Sequence, residues 1–213
     1  MQNLSGRLSR AAIPAMLLAI AIIHLYAPVF GIWAGLRLVS LVVFLIATLV
    51  IYEPWPGLAE RHPAVFGARA TRIVFDGLLI AAVVGVTVYI YHDFDGFFER
   101  TGYPTTGDLI AGAIFLFAIL EATRRSLGWP LVILCVVFVF YAIYGRSMPG
   151  PFAHAGTTLK TVIEFSFRDS SGILGIPVGV MASYVVIFIF IGSMLERAGA
   201  GAFLLEISRR LVG

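Results

Sequence analysis

The sequence is short of charge. Only 13% of its 213 residues are Asp, Glu, Lys or Arg, while 60% are hydrophobic. A soluble domain of this size carries about 25% charged residues, enough to cover its surface with water-seeking groups. Lysine is nearly absent, with Lys160 the only one among 15 basic residues. No Lys/Arg-rich face interleaves with exposed aromatics, which argues against nucleic acid as a partner. There is one cysteine, Cys135, set in an apolar run. It can form no intrachain disulfide, so redox compartment cannot be read from it.

Catalytic patterns are missing too. No Gly-x-x-x-x-Gly-Lys-Ser/Thr loop is present to bind ATP, no His-Glu-x-x-His occurs, and Gly192-Ser193 is not framed as Gly-x-Ser-x-Gly. His62, His92 and His154 show no metal-ligand spacing. These absences predict that the chain is not an enzyme, has no catalytic or metal-ligating residues and needs no cofactor.

What the sequence does have is apolar length. Crossing ~30 Å of hydrocarbon takes roughly 20 apolar residues in a helix that bonds its own backbone polar groups. Three runs free of Asp, Glu, Lys and Arg are long enough: Ala11–Leu36, Ser126–Gly145 and Ser170–Leu195. Three shorter ones, Leu38–Tyr52, Gly77–Tyr91 and Leu109–Leu120, reach spanning length by admitting a charge near one end. Arg37 can snorkel to the interface. Although Arg7 and Arg10 precede the first run, it is too long for the ~7–15-residue apolar region of a signal peptide, so it reads as an uncleaved span. The expectation is an all-α integral membrane protein with about six transmembrane helices.

Loop charge gives an orientation. Segments on one side of the six spans hold ten arginines and those on the other hold five basic residues, which predicts a cytoplasmic N-terminus. Trp33, Trp55 and Trp129 fall at span edges, and Asp108 is placed to cap the fourth helix. Pro28 and Pro177 are expected to kink or locally open spans one and six. Thr157–Phe167 reads equally as a helical face or as a strand alternation. At the C-terminus Phe203, Leu204, Ile207 and Leu211 form one face and Glu206, Arg209 and Arg210 another, which predicts an amphipathic helix on the membrane surface.

Three polar positions in the spans are candidates for substrate or ion binding: Asp76, Glu121 and His24. Asp76 is either a carboxylate on an ion path or an interfacial acid paired with Arg72 one turn earlier. Glu121 precedes Arg124 and Arg125, where ion pairing along the helix is the simpler reading. His24 stands three residues before the Ala27-Pro28 break, as a proton relay or bonded to the backbone of a neighbouring helix. Gly175-Ile-Pro-Val-Gly179 suggests either close helix packing or a broken helix beside a substrate path.

Glu121-Ala-Thr-Arg-Arg-Ser-Leu-Gly-Trp-Pro130, Tyr144-Gly145 with Pro149-Gly150, and Gly172-Ile-Leu-Gly-Ile-Pro-Val-Gly-Val180 resemble the permeases of TRAP (tripartite ATP-independent periplasmic) transporters. Phe188-Ile-Phe-Ile-Gly-Ser-Met-Leu-Glu-Arg-Ala-Gly-Ala-Gly201 is the most specific stretch. The resemblance covers about residues 107–213 and is to the type that fuses small and large membrane subunits (TAXI-like).

It implies residues 1–128 as a small-subunit-like four-helix membrane region and 129–213 as the beginning of the large subunit. It also implies a secondary transporter of the bacterial inner membrane, driven by an ion gradient with sodium as the coupling ion. The partners it implies are the lipid bilayer, a periplasmic solute-binding protein that delivers organic acids, and the remainder of the large permease subunit. The Gly/Ser-rich hairpins that hold sodium and substrate in the family match no position here, so no binding residue carries over. The chain then reads as a fragment or a piece of a split permease, acting mainly as scaffold. The alternative is a non-transporting membrane scaffold or assembly subunit complete at this length.

Overall fold

The computed structural model describes residues 18, 21–22, 24–26, 34–52, 69–167 and 172–212. Among them every regular element is helical. The elements are α1 (Ala34–Ile51), α2 (Arg69–His92), α3 (Phe94–Glu99), α4 (Thr106–Leu127), α5 (Trp129–Tyr144), α6 (Leu159–Phe167), α7 (Ile176–Val180), α8 (Val186–Arg197) and α9 (Ala200–Val212). A π-helical segment, Met181–Val185, joins α7 to α8.

Among the described residues four stretches are long and apolar enough to cross a membrane: Ile73–His92, Thr106–Leu127, Trp129–Ser147 and Ile176–Arg197. Helix α1 is a shorter apolar helix, at 18 residues about 27 Å long. Residues 18, 21–22 and 24–26 are helical as well, but the rest of the expected first span, with Pro28 and Trp33, lies outside the described residues. The chain is thus a multi-pass, all-α membrane protein.

Local chemistry sets the helix ends. Thr105 and Asp108 form a capping box at the start of α4: the Thr105 side chain accepts from the Asp108 N–H at 3.2 Å, and the Thr105 N–H donates to Asp108 Oδ2 at 2.9 Å. Gly128, at φ 86°, ends α4, a left-handed conformation that glycine adopts without strain. Consequently Ser126 and Leu127 belong to α4, and α5 begins only at Trp129. Similarly, the first and second apolar runs do not divide at Arg37, because α1 already starts at Ala34. Hydroxyls within the spans bond back to carbonyls four residues earlier, Thr48 to Phe44, Thr87 to Val83 and Thr123 to Ile119, at 2.7–2.8 Å. This satisfies them where no water is available.

Helices α1, α2 and α4 pack together, and α6 lies on α4. Their common core runs from Leu38, Leu45 and Leu49 through Val83, Ile90, Phe115 and Ala118 to Phe167 and Val178. Phe167 stacks on Phe115 at 4.8 Å and meets the edge of Phe97 at 6.0 Å. The ambiguous stretch around Thr157–Phe167 therefore settles as helix from Leu159, drawn down by this aromatic cluster. At nine residues α6 is too short to span. Gly112 permits the approach, since a Cβ there would stand 2.7 Å from Ile163 Cγ2. In contrast, α5 exposes Ile133, Leu134, Val137, Phe138 and Phe140, and α8 exposes Phe188, Ile189 and Ile191. Faces of this kind are stable only against lipid or another apolar surface.

Of the two expectations for Pro177, a kink is not what the structure has. The proline sits in the first turn of α7, where its missing N–H costs no intrahelical bond, and so it starts the helix rather than kinking it. The irregularity comes one turn later, in the π segment. Helix α9 is amphipathic as expected, with Phe203 and Leu211 exposed and an exposed Arg210–Glu206 pair at 2.8 Å.

Candidate functional site: charge clusters at the two ends of α4

Helix α4 carries a polar cluster at each end, about 20 Å apart by helix rise. Glu121, Arg124 and Arg125 lie on its last turns. Arg124 donates through Nε and Nη2 to both oxygens of Glu121, each at 2.7 Å. The Arg125 side chain is fully buried and donates Nε to Glu121 Oε1 at 2.8 Å and Nη2 to Asp76 Oδ1 on α2, also at 2.8 Å. Its Nη1 reaches the Leu49 carbonyl at 3.1 Å and the Tyr52 carbonyl at 3.3 Å. A cation is favoured at these last carbonyls of α1, where the helix dipole is negative. One guanidinium thus ties α1, α2 and α4, with the Phe75 ring beside it at 5.7 Å. Arg124 in turn lies over the Trp129 ring at 5.5 Å.

The structure therefore brings Asp76 and Glu121 to one arginine. Glu121 pairs along its own helix as the simpler reading expects. For Asp76 the partner shown is Arg125, 49 residues away, whereas the Arg72 side chain lies outside the described residues. Two acids and two guanidiniums balance in charge, an arrangement suited to holding helices together.

His24 belongs to neither cluster. Its ring is buried, meets the edge of Phe44 at 5.5 Å and borders a small apolar cleft with Ala21, Leu25, Val186, Ile187 and Phe190.

At the start of α4, Asp108 is 1% exposed. It accepts from Tyr89 Oη at 2.9 Å and from Arg100 Nε and Nη2 at 3.3 Å, besides its capping bond. Arg100 Nη1 also donates to Asp93 at 2.6 Å. Hydrogen bonds to Asp108 first and to Asp93 second hold the Arg100 guanidinium above the ordinary arginine range, so it stays charged. The Gly102 N–H donates to Glu164 on α6 at 2.5 Å, fastening the α3–α4 loop to that helix. Sequence reasoning placed Asp108 as a cap and missed the rest. The Thr105-x-x-Asp108 spacing carries the box, but Tyr89 and Arg100 come from other elements.

Among the described residues no group of three His, Cys, Asp or Glu side chains comes together as a metal site would require.

Residues 114–213, from the middle of α4 onward and just under half of the chain, match the family model of the tripartite ATP-independent periplasmic transporter, DctM component. No curated protein and no solved structure matches the chain. The match and the apolar helices agree on a transport protein of the membrane, in a family of transporters and not of enzymes. Over residues 114–213 this chain is similar to the DctM component of TRAP transporter permeases.

Proposed function

We propose that the chain is the part of a sodium-driven TRAP permease that acts mainly as scaffold for the import of organic acids. The observation that carries the scaffold reading is Arg125. Every carboxylate that α2 and α4 bring to it is held by a guanidinium, and the same guanidinium caps α1. Neither Asp76 nor Glu121 is left as a vacant ligand for a travelling ion. They tie helices instead of binding cargo, and sodium and substrate are held elsewhere in the permease.

In this reading residues 1–128 are the small-subunit-like region and 129–213 open the large subunit. The two regions share a core through Phe115 and Phe167, which supports a fixed relation between them. The end of the bundle with Arg100, Arg146 and Lys160 faces a periplasmic solute-binding protein. The N-terminus and α9 lie on the cytoplasmic side of the bacterial inner membrane, α9 flat on its surface.

The test is sodium-dependent uptake of a carboxylate-bearing solute into vesicles. The vesicles hold this chain with or without the remaining permease segments and the binding protein. Uptake only with the complete set supports the scaffold role. Uptake by the 213 residues alone refutes it and returns Asp76, Glu121 and His24 to the substrate path.

A further inference from the structure

Arg37 lies one turn inside α1, and its Nε is buried without a hydrogen-bond partner. Its guanidinium lies along α7 at Gly179, with Nε 3.5 Å and Cζ 3.6 Å from the point a Cβ would occupy there. Arg37 forms no ion pair among the described residues. The bundle's inward-facing acids are committed elsewhere, Asp76 and Glu121 to Arg125 and Asp108 to Arg100 and Tyr89.

A second observation points to the same place. Ser40 follows Arg37 by three residues, on the same face of α1, and is 0% exposed with its Oγ also unpartnered. Thr48, Thr87, Thr123 and Ser126 turn their hydroxyls back to a carbonyl four residues earlier. Ser40 does not. Opposite, the helix is irregular: the Ser183 hydroxyl bonds the Gly179 carbonyl, and the π segment begins at Met181. Such π segments recur at functional sites.

We propose that Arg37 and Ser40 form a binding site for an oxoanion, a carboxylate or phosphate group seated between α1 and the irregular helix α7–α8. A guanidinium with no counter-charge among the described residues is costly within a span. Its planar fork matches carboxylate and phosphate oxygens two at a time, and a hydroxyl one turn away adds a third donor. A neutral ligand would satisfy the donors but leave the charge. The oxoanion is either free in solution or carried by a lipid headgroup. The inference does not depend on whether the chain transports anything, and its readout is binding.

The test follows thermal unfolding of the purified chain in a sugar-headgroup detergent. Inorganic phosphate, succinate or phosphatidylglycerol is titrated in, with sodium chloride at matched ionic strength as control. The expected result is a saturable rise in Tm with at least one of the three. Apparent affinity should fall at least tenfold in Arg37→Gln and several-fold in Ser40→Ala, with Arg37→Lys between them because it keeps the charge but loses the fork. A response to phosphate or succinate identifies a free anion, and one to phosphatidylglycerol alone identifies a lipid-borne one. No rise above the chloride control, or the same rise in wild type and in whichever of Arg37→Lys and Ser40→Ala folds, overturns the proposal.

Discussion

Replacing Arg125 by methionine should be among the most damaging single changes in this bundle. Methionine keeps the length and apolar stem of the side chain while removing the charge. Glu121 retains Arg124 at 2.7 Å, but Asp76 loses the bond it accepts from Arg125 at 2.8 Å, and the carbonyls of Leu49 and Tyr52 lose theirs. Removing one partner of a buried pair costs about 3–5 kcal/mol, because the remaining charge stays desolvated. Asp76 is 16% exposed, so some hydration returns and the lower end, about 3 kcal/mol, applies. Neutral polar contacts between membrane helices average only about 0.6 kcal/mol, so the two explanations are well separated. A loss of about 3 kcal/mol is roughly 150-fold in the unfolding equilibrium. It should lower Tm by about 6–12 °C in a chain of this size. Thermal unfolding in detergent measures it, alongside Arg125→Met combined with Asp76→Asn, which removes both charges and should recover most of the loss. A single variant within about 0.5 kcal/mol of wild type, the scale of an ordinary surface substitution, would refute the idea that Arg125 holds the three helices.

Tyr89→Phe removes one donor from buried Asp108 and leaves Arg100 and the capping bond, so a loss of about 1–2 kcal/mol in thermal unfolding is expected. An unchanged Tm would mean that the hydroxyl contributes nothing there. Gly112→Val places atoms where Ile163 sits and should cost about 1–3 kcal/mol, with α6 becoming more open to hydrogen exchange; unaltered exchange in α6 would argue against its seating on α4. For orientation, Ser147→Cys and Ser208→Cys are made in a Cys135→Ser background and treated with a membrane-impermeant maleimide from the periplasmic side. Label at 147 and none at 208 is expected, and the reverse pattern would invert the topology.

Several features were legible because they depend on residues close together in the chain. The apolar runs required helices, since a lipid environment leaves backbone polar groups no other partner. The capping role of Asp108 follows from a three-residue spacing to Thr105, and the Glu121–Arg124–Arg125 pairing from helical periodicity. The family resemblance in the second half rested likewise on contiguous motifs, and the DctM match at residues 114–213 agrees with it.

Other features depend on which elements meet, and no local pattern reports that. Spacing offered Asp76 a partner in Arg72, whose side chain lies outside the described residues, but could not report the arginine on α4 that the α1–α2–α4 packing brings to it. Thr157–Phe167 balanced between helix and strand until Phe167 had Phe115 and Phe97 to pack against. Arg37 is an isolated charge in the sequence, and only the structure sets its guanidinium against α7 at Gly179. The sequence alone therefore determined a membrane-spanning helical chain and the likeness of its second half to TRAP permeases, through hydrophobicity and short-range spacing. Tertiary structure decided which charges neutralise one another and where Arg37 comes to lie, since the surroundings of a charge inside the bundle depend on neighbours distant in sequence.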